Sequence, residues 1–143
     1  MAETIAIAAD HGGFDLKSTL AAELRGLGYD VLDLGTGSLD SVDYPDFAMA
    51  LVGAIEAGRV ARGVLICGTG IGMAMAANRH RSIRAALCHD VTSARLARQH
   101  NDANVLALGG RLLGCEIAKD CLRTFLSTEF DGGRHARRIA KLS

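Results

Sequence analysis

The sequence has little of what marks several large classes of protein. Among 143 residues it has one proline, no tryptophan and only 4% aromatic residues. Its four cysteines form no CxxC pair, and no Cys/His spacing resembles a zinc site. Sixteen basic residues balance sixteen acidic ones, so the chain lacks the positive charge typical of nucleic-acid binding. We therefore expect no metal site and no nucleic-acid partner.

The pattern of a targeting or membrane-spanning segment is also missing. The N-terminal residues 1–4 carry no basic region, and the apolar run that follows is short and leads directly into Asp10. Cys88, Cys115 and Cys121 are expected to pack as small apolar side chains in a reduced protein. These observations favour a cytoplasmic protein with no membrane partner.

Apolar runs that alternate with helical patterns predict the fold. The expected strands are 5–9, 29–34, 64–67, 83–88 and 104–108. The expected helices are 14–27, 47–57, one that ends at 77, then 91–99, 113–126 and 133–142. Such alternation predicts one α/β domain over residues 1–143, with a five-stranded parallel sheet covered by helices on both faces. The fifth helix is expected to bury an apolar face that consists of Ile117, Leu122, Phe125 and Leu126.

Polar residues follow the predicted strands at their carboxyl ends, where sheets of this kind bind ligands. These residues are Asp10 and His11 after the first strand, Asp43 and Tyr44 after the second, Cys67 and Thr69 after the third, His89 after the fourth, and Arg111 after the fifth. By contrast, His100 and Asn101 lie between a helix and a strand, at the opposite edge. They would reach such a site only if a neighbouring subunit presented them.

The segment Cys67-Gly68-Thr69-Gly70-Ile71-Gly72 is the most informative one. Its glycines allow a tight turn, and the helix that follows directs free N–H groups at that turn. Such a place binds an anion and makes a thiol reactive, so Cys67 is a candidate base or nucleophile. The alternative is that the glycines only shape a turn. A dinucleotide-binding fingerprint is disfavoured because Met73 occupies the last glycine position.

Two further segments each leave two interpretations open. Asp10-His11-Gly12-Gly13 joins a strand to a helix, so its polar side chains could bind hydroxyl or phosphate groups, or Asp10 could only cap the helix. Arg134 and Arg138 are four residues apart on one helix face, which suits a phosphate, although a solvated basic tail has the same pattern.

Taken together, these segments resemble the type B ribose-5-phosphate isomerases and the related galactose-6-phosphate isomerase subunits across nearly the whole chain. The segments are Asp10–Phe14, Asp43–Pro45, Ile66–Gly72, Ala76–Asn78, Ser93–Arg95, Arg98–Asn104 and Gly132–His135. The resemblance implies a Rossmann-like three-layer α/β/α sandwich without metal or organic cofactor. It also implies a homodimer, possibly paired into a tetramer, whose active sites are shared between subunits.

The resemblance further implies an aldose–ketose isomerisation of a sugar phosphate, such as ribose 5-phosphate, through an enediolate. The implied catalytic residues are Cys67 as the base, Thr69 as a proton shuttle, and Asp10 and His100 for ring opening. The implied substrate-binding groups are Tyr44, Asn101 and the backbone N–H groups of Gly68, Gly70, Ile71 and Gly72. The implied phosphate clamp is His11, Arg111, Arg134 and Arg138.

One branch of the family uses a glutamate just after the turn as its base, and Met73 stands there in this chain. The resemblance assigns no role to His80, His89, His135 or Arg137. Two alternatives stay open: the same chemistry on allose 6-phosphate, galactose 6-phosphate or a tetrulose 4-phosphate, and a sugar-phosphate sensor without catalysis.

Overall fold

The computed structural model describes residues 2–142, in which five strands alternate with helices. The strands are β1 (Thr4–Ala9), β2 (Asp30–Asp33), β3 (Arg62–Cys67), β4 (Ala85–Leu87) and β5 (Val105–Gly109). The helices are α1 (Phe14–Gly26), α2 (Tyr44–Glu56), α3 (Ile71–Ala77), α4 (Val91–Asn101), α5 (Cys115–Ser127) and α6 (Arg134–Ala140). The predicted parallel α/β fold with a C-terminal helix is confirmed.

All strand pairs in the sheet are parallel, and the strand order is β2-β1-β3-β5-β4. The central strands β1, β3 and β5 are almost completely buried, which explains why their sequences are apolar on both faces. The register pairs Ala9 with Ile66 and Cys67 with Gly109. The chain segments that leave these three strands therefore meet at one edge of the sheet, the carboxyl edge.

Two apolar layers hold the helices against the sheet. On one face α1, α4 and α5 bury side chains such as Leu20, Leu24 and Phe125. On the other face α2 and α3 bury Leu51 and Met73 among others. Burial of one such side chain stabilises a fold by roughly 1.5–3 kcal/mol. None of the helices in residues 2–142 combines the length and the apolar character that crossing a membrane needs.

Several helix boundaries differ from the predicted ones, and two of these differences concern candidate site residues. Helix α2 begins at Tyr44, three residues earlier than expected, because Pro45 occupies the first turn, where its missing N–H costs nothing. Helix α4 extends to Asn101, so His100 and Asn101 lie in its last turn. Asp102 then ends the helix in the left-handed conformation, with φ of 45°.

The prediction for the apolar face of α5 was wrong at one residue, Ile117, which is 50% exposed. The buried face runs through Ala118, Cys121, Leu122 and Phe125, and Ile117 lies beside it on the helix surface. Ile117 is four residues before Cys121, which fits one helical face. The face that packs in the core, however, includes Ala118 rather than Ile117.

The cysteine prediction was correct for two of the three thiols. Cys88 and Cys121 are buried, and burial raises the pKa of both, that of Cys121 to about 11. Cys115 is exposed at the start of α5, so its expected packing in the core was wrong.

Candidate active site

Cys67 ends β3 at the centre of the carboxyl edge, and its side chain is buried. The chain then turns through Gly70, whose φ of 79° is a left-handed conformation that glycine adopts without strain. This turn brings the Gly70 N–H to within 3.2 Å of Cys67 Sγ, to which it donates a hydrogen bond. The thiol therefore sits in a preformed turn with a backbone donor directed at its sulfur.

Some backbone N–H groups of this turn already donate hydrogen bonds within the turn. The Ile71 N–H donates to Thr69 Oγ1 at 3.2 Å. Two of the four expected anion-binding amides, those of Gly70 and Ile71, thus have partners within the turn. A substrate oxygen that binds there has to share or replace these two hydrogen bonds.

Asp10 and His11 lie beside the Cys67 turn, in the segment that leaves β1. Asp10 is buried, and its carboxylate accepts a hydrogen bond from the Gly12 N–H at 2.9 Å. Gly12 lies close to Gly68, because a Cβ placed on Gly12 would be 3.1 Å from the Gly68 nitrogen. Asp10 does not cap α1, whose N-cap residue is Gly13, so the capping alternative is wrong.

Tyr44 and Arg111 complete the carboxyl-edge group. The Tyr44 ring covers Gly72, since a Cβ there would lie 2.5 Å from Tyr44 Cε1. The backbone N–H of Arg111 donates to the Gly68 carbonyl at 3.0 Å, and the Arg111 guanidinium lies over Gly68. The structure thus brings together ten of the predicted site residues: Asp10, His11, Tyr44, Cys67, Gly68, Thr69, Gly70, Ile71, Gly72 and Arg111.

The remaining four predicted residues lie elsewhere. His100 and Asn101 end α4 shortly before β5 begins, and Arg134 and Arg138 are on α6, which packs against α4. Because Val105 pairs with Gly63 and Gly109 pairs with Cys67, the amino and carboxyl edges of the sheet are about 13 Å apart along β5. A cavity of about 310 Å³ at the amino edge is lined by His100, Asn101, His135 and Arg138, among others.

Two residues that sequence reasoning left without a role, His135 and Asp131, accompany His100. The His100 and His135 rings stack with centroids 4.5 Å apart and an interplanar angle of 14°. Burial, followed by the charges of His100, Arg134 and Arg138, lowers the pKa of His135. The sequence of α6 offers no sign of this contact, because it depends on how α6 packs against α4.

The side chains of His100, Asp131 and His135 have ligand atoms within 4.8 Å of one another. Imidazole binds metal through lone pairs that lie in the ring plane. The planes of the two stacked rings are nearly parallel, so these lone pairs do not converge on one ion in the observed arrangement. The cluster and its two neighbouring arginines are better suited to an anion.

A family described as ribose/galactose isomerase matches residues 5–142 of the chain. The chain belongs to this ribose/galactose isomerase family. The match covers both edges of the sheet, including the Cys67 turn and α6. The prediction of an aldose–ketose isomerase is thereby confirmed at the level of the family.

Relatives within the ribose/galactose isomerase family are similar to this chain in sequence and in structure. The chain is 45% identical to ribose-5-phosphate isomerase B of Escherichia coli over 97% of its own length and 93% of the relative's. It is also 45% identical to the D-erythrulose-4-phosphate isomerase of Pectobacterium atrosepticum, over 97% and 92% of the two chains. A ribose 5-phosphate isomerase structure from Thermotoga maritima is 54% identical, covers 99% and 98% of the two chains, and superimposes with a TM-score of 0.97.

Proposed function

We propose that this enzyme interconverts D-ribose 5-phosphate and D-ribulose 5-phosphate, with Cys67 as the general base. The observation that carries the proposal is the buried Cys67 thiol, held in a glycine-rich turn with the Gly70 N–H directed at its sulfur. A sulfur that acts as a base needs donors that stabilise its anion, and this turn supplies one.

In the proposed reaction the Cys67 thiolate removes the proton from C2 of the open-chain aldose. The electron pair of the broken C–H bond forms the C1–C2 double bond, and the negative charge moves to O1. Thr69 transfers a proton between O2 and O1, and the Cys67 thiol returns its proton to C1, which gives the ketose. Backbone N–H groups of the turn stabilise the enediolate oxygen, since preorganised donors of this kind are a major source of rate enhancement.

The other site residues bind and open the sugar in this proposal. Asp10 lies beside the Cys67 turn and assists ring opening, while Tyr44 binds the substrate next to Gly72. The phosphate group is anchored by His11 and Arg111 at the carboxyl edge. Arg134 and Arg138 complete that anchor from a second subunit, together with His100 for ring opening and Asn101 for substrate binding.

A homodimer, possibly paired into a tetramer, is therefore part of the proposal. The separation of His100 from Cys67 within one chain supports it, because neither edge alone holds every group the reaction needs. Exposed apolar side chains beside the Cys67 turn support it as well, since a second copy would cover them. These side chains are Tyr44, Met49, Ile71 and Met75.

The compartment and the absence of cofactors complete the proposal. The four cysteines within residues 2–142 are free thiols, which favours a reducing compartment such as the cytoplasm. The proposed proton transfers use only side-chain and backbone groups of this chain, so the mechanism needs no metal or organic cofactor.

The chemistry is tested by replacing Cys67 with alanine. The Cys67→Ala variant is expected to bind ribose 5-phosphate and to lose turnover and exchange of the C2 proton with heavy water. Near-normal turnover would refute Cys67 as the base. If the unmodified protein bound the sugar phosphate without any C2 exchange, it would be a sensor rather than an enzyme.

Subunit sharing is tested by mixing two inactive variants, Cys67→Ala and His100→Ala. A mixed dimer would have one site with both changes and one intact site. Random exchange should therefore restore about a quarter of the activity of the unmodified enzyme, because half of the dimers are mixed and each has one good site of two. No recovery after exchange of subunits, confirmed with two affinity tags, would contradict shared sites.

A second candidate substrate class is favoured by the 45% identity to a D-erythrulose-4-phosphate isomerase. The same base and turn would serve four-carbon or six-carbon sugar phosphates. Values of kcat/KM for ribose 5-phosphate, erythrulose 4-phosphate, allose 6-phosphate and galactose 6-phosphate would decide between them. The proposal predicts the highest value for ribose 5-phosphate.

A further inference from the structure

Lys17 is an unusual residue of this fold, because it is buried. Among residues 2–142 it is the only lysine or arginine in the buried class, with 3% of its surface exposed. Its Nζ contacts both carboxylate oxygens of Asp33, at 2.8 and 2.6 Å, and lies 5.5 Å from the centre of the Phe14 ring. The ammonium group of Lys17 therefore forms one ion pair, with Asp33.

Stability alone does not account for a lysine at this place. Lys17 lies near the beginning of α1, where the helix dipole disfavours a cation. The ammonium group of Lys17 loses its hydration at this buried place, while the Asp33 side chain stays 40% exposed, so the ion pair gains little over an apolar side chain of the same volume. A methionine would fill the same space, so the ammonium group has another use.

The pair joins the start of α1 to the loop that follows β2. Asp33 Oδ1 also accepts a hydrogen bond from the Gly35 N–H at 2.9 Å. Gly35 and Thr36 in turn bind the backbone of Ala9, through Ala9 N to Gly35 O and Thr36 N to Ala9 O, both at 2.7 Å. Ala9 is the residue before Asp10, so the ion pair braces the backbone from which the Asp10 carboxylate extends.

The same loop determines which nitrogen of His11 carries a proton. Further along it, the Val42 N–H lies 3.2 Å from His11 Nδ1. A backbone N–H can only donate, so Nδ1 has to be the acceptor and the ring proton has to be on Nε2. His11 thereby has Nδ1 as its acceptor and Nε2–H as its remaining donor.

We propose that Lys17 and Asp33 are positioning residues for the isomerase: their ion pair holds residues 34–42 where the Val42 amide fixes His11 as the Nε2–H tautomer. The proposal rests on the proposed function, in which His11 Nε2–H binds the phosphate group. Val42 lies between this brace and α2, which begins at Tyr44, so loss of the ion pair frees one side of the loop and lets the Val42 amide shift away from His11 without unfolding the segment.

The test compares Lys17→Met with Arg62→Met. Arg62 forms an ion pair of the same length, 2.6 Å to Glu3, at the start of β3, and neither residue belongs to the proposed site. In Lys17→Met we expect KM for ribose 5-phosphate and Ki for inorganic phosphate to rise about tenfold, which is the effect of one weakened hydrogen bond to a charged group. We expect kcat to fall less, because Asp10 keeps its own hydrogen bond from the Gly12 N–H. Arg62→Met is expected to leave both constants unchanged even if it lowers thermal stability.

A second measurement does not depend on turnover. In protein labelled with ¹⁵N at histidine, the His11 imidazole should give the shifts of a single Nε2–H tautomer, and Lys17→Met should give averaged shifts. Unchanged His11 shifts together with unchanged phosphate Ki in a folded Lys17→Met protein would overturn the proposal, whatever the substrate proves to be. If Lys17→Met does not fold, Asp33→Asn serves instead, because it keeps an oxygen for the Gly35 N–H and removes the charge; the same two outcomes apply.

Discussion

Gly72→Ala separates the role of Tyr44 from the role of the glycine-rich turn. Gly72 lies in the first turn of α3, without a positive φ, so alanine is compatible with the backbone and gains up to about 1 kcal/mol of helix propensity. The new Cβ, however, would lie 2.5 Å from Tyr44 Cε1 and 2.6 Å from Cζ. Ordinary carbon contacts begin near 3.5 Å, so the ring has to move by about 1 Å or swing outward.

Tyr44 is free to move, because 39% of its surface is exposed. We therefore expect the unfolding free energy of Gly72→Ala to stay within about 1 kcal/mol of the original, as the helix gain offsets the lost ring contact. Loss of the contact that we propose between Tyr44 and the substrate should raise KM by roughly three- to tenfold, the effect of one hydrogen bond. Urea denaturation and steady-state kinetics measure the two quantities.

The double-mutant cycle with Tyr44→Ala gives the decisive comparison. If Gly72→Ala acts by displacing the ring, it should change KM little once Tyr44 is already alanine. An equal rise of KM in both backgrounds would refute the reasoning. It would mean that the new methyl group disturbs the N–H groups of the turn directly.

Two further predictions follow from the turn and from α6. Gly70→Ala should destabilise the protein by more than about 1–2 kcal/mol, because φ is 79° and the new Cβ would lie 2.8 Å from the Leu108 carbonyl carbon; urea denaturation should show a lower midpoint, and an unchanged midpoint would contradict the prediction. Because burial lowers the pKa of His135, its ring gains a proton only at a lower pH than an ordinary imidazole, so sulfate should bind more tightly as the pH falls through that range. Calorimetry should show that His135→Gln removes most of this pH dependence, and an equally steep dependence in that variant would argue against it.

The positions of the strands could be predicted well because parallel strands are buried on both faces. Runs such as Val64-Leu65-Ile66 leave little choice of structure, and their carboxyl ends identify the edge at which Asp10, Cys67 and Arg111 meet. Helix boundaries were harder to predict. The predicted helix began at residue 47, after Pro45, whereas α2 begins at Tyr44 with Pro45 in its first turn, which is a recognised helix start.

The features that escaped prediction depend on contacts between distant segments. No spacing rule indicates that Lys17 is buried against Asp33, since a lysine four residues into an amphipathic helix is usually solvated. Nor does the sequence around His135 show that its ring stacks on His100, more than thirty residues earlier. In both cases the chemistry of the residue is set by a neighbour that only the packing of helices and loops provides.

The carboxyl edge of the sheet is held more rigidly than helix α6 at the amino edge, and this difference affects which kinetic constant a substitution changes. Around Cys67 the turns are tied by backbone bonds, from Asp10 N to the Ile66 carbonyl at 3.2 Å and from Gly110 N to the Cys67 carbonyl at 2.8 Å. Helix α6, by contrast, has seven residues, none of them buried. Proton transfer tolerates only small displacements of the reacting groups, well under 1 Å, whereas long arginine side chains can adjust to hold a phosphate group. In the proposed mechanism, substitutions of Cys67 and Thr69 should therefore act mainly on kcat, and substitutions of the α6 arginines mainly on KM.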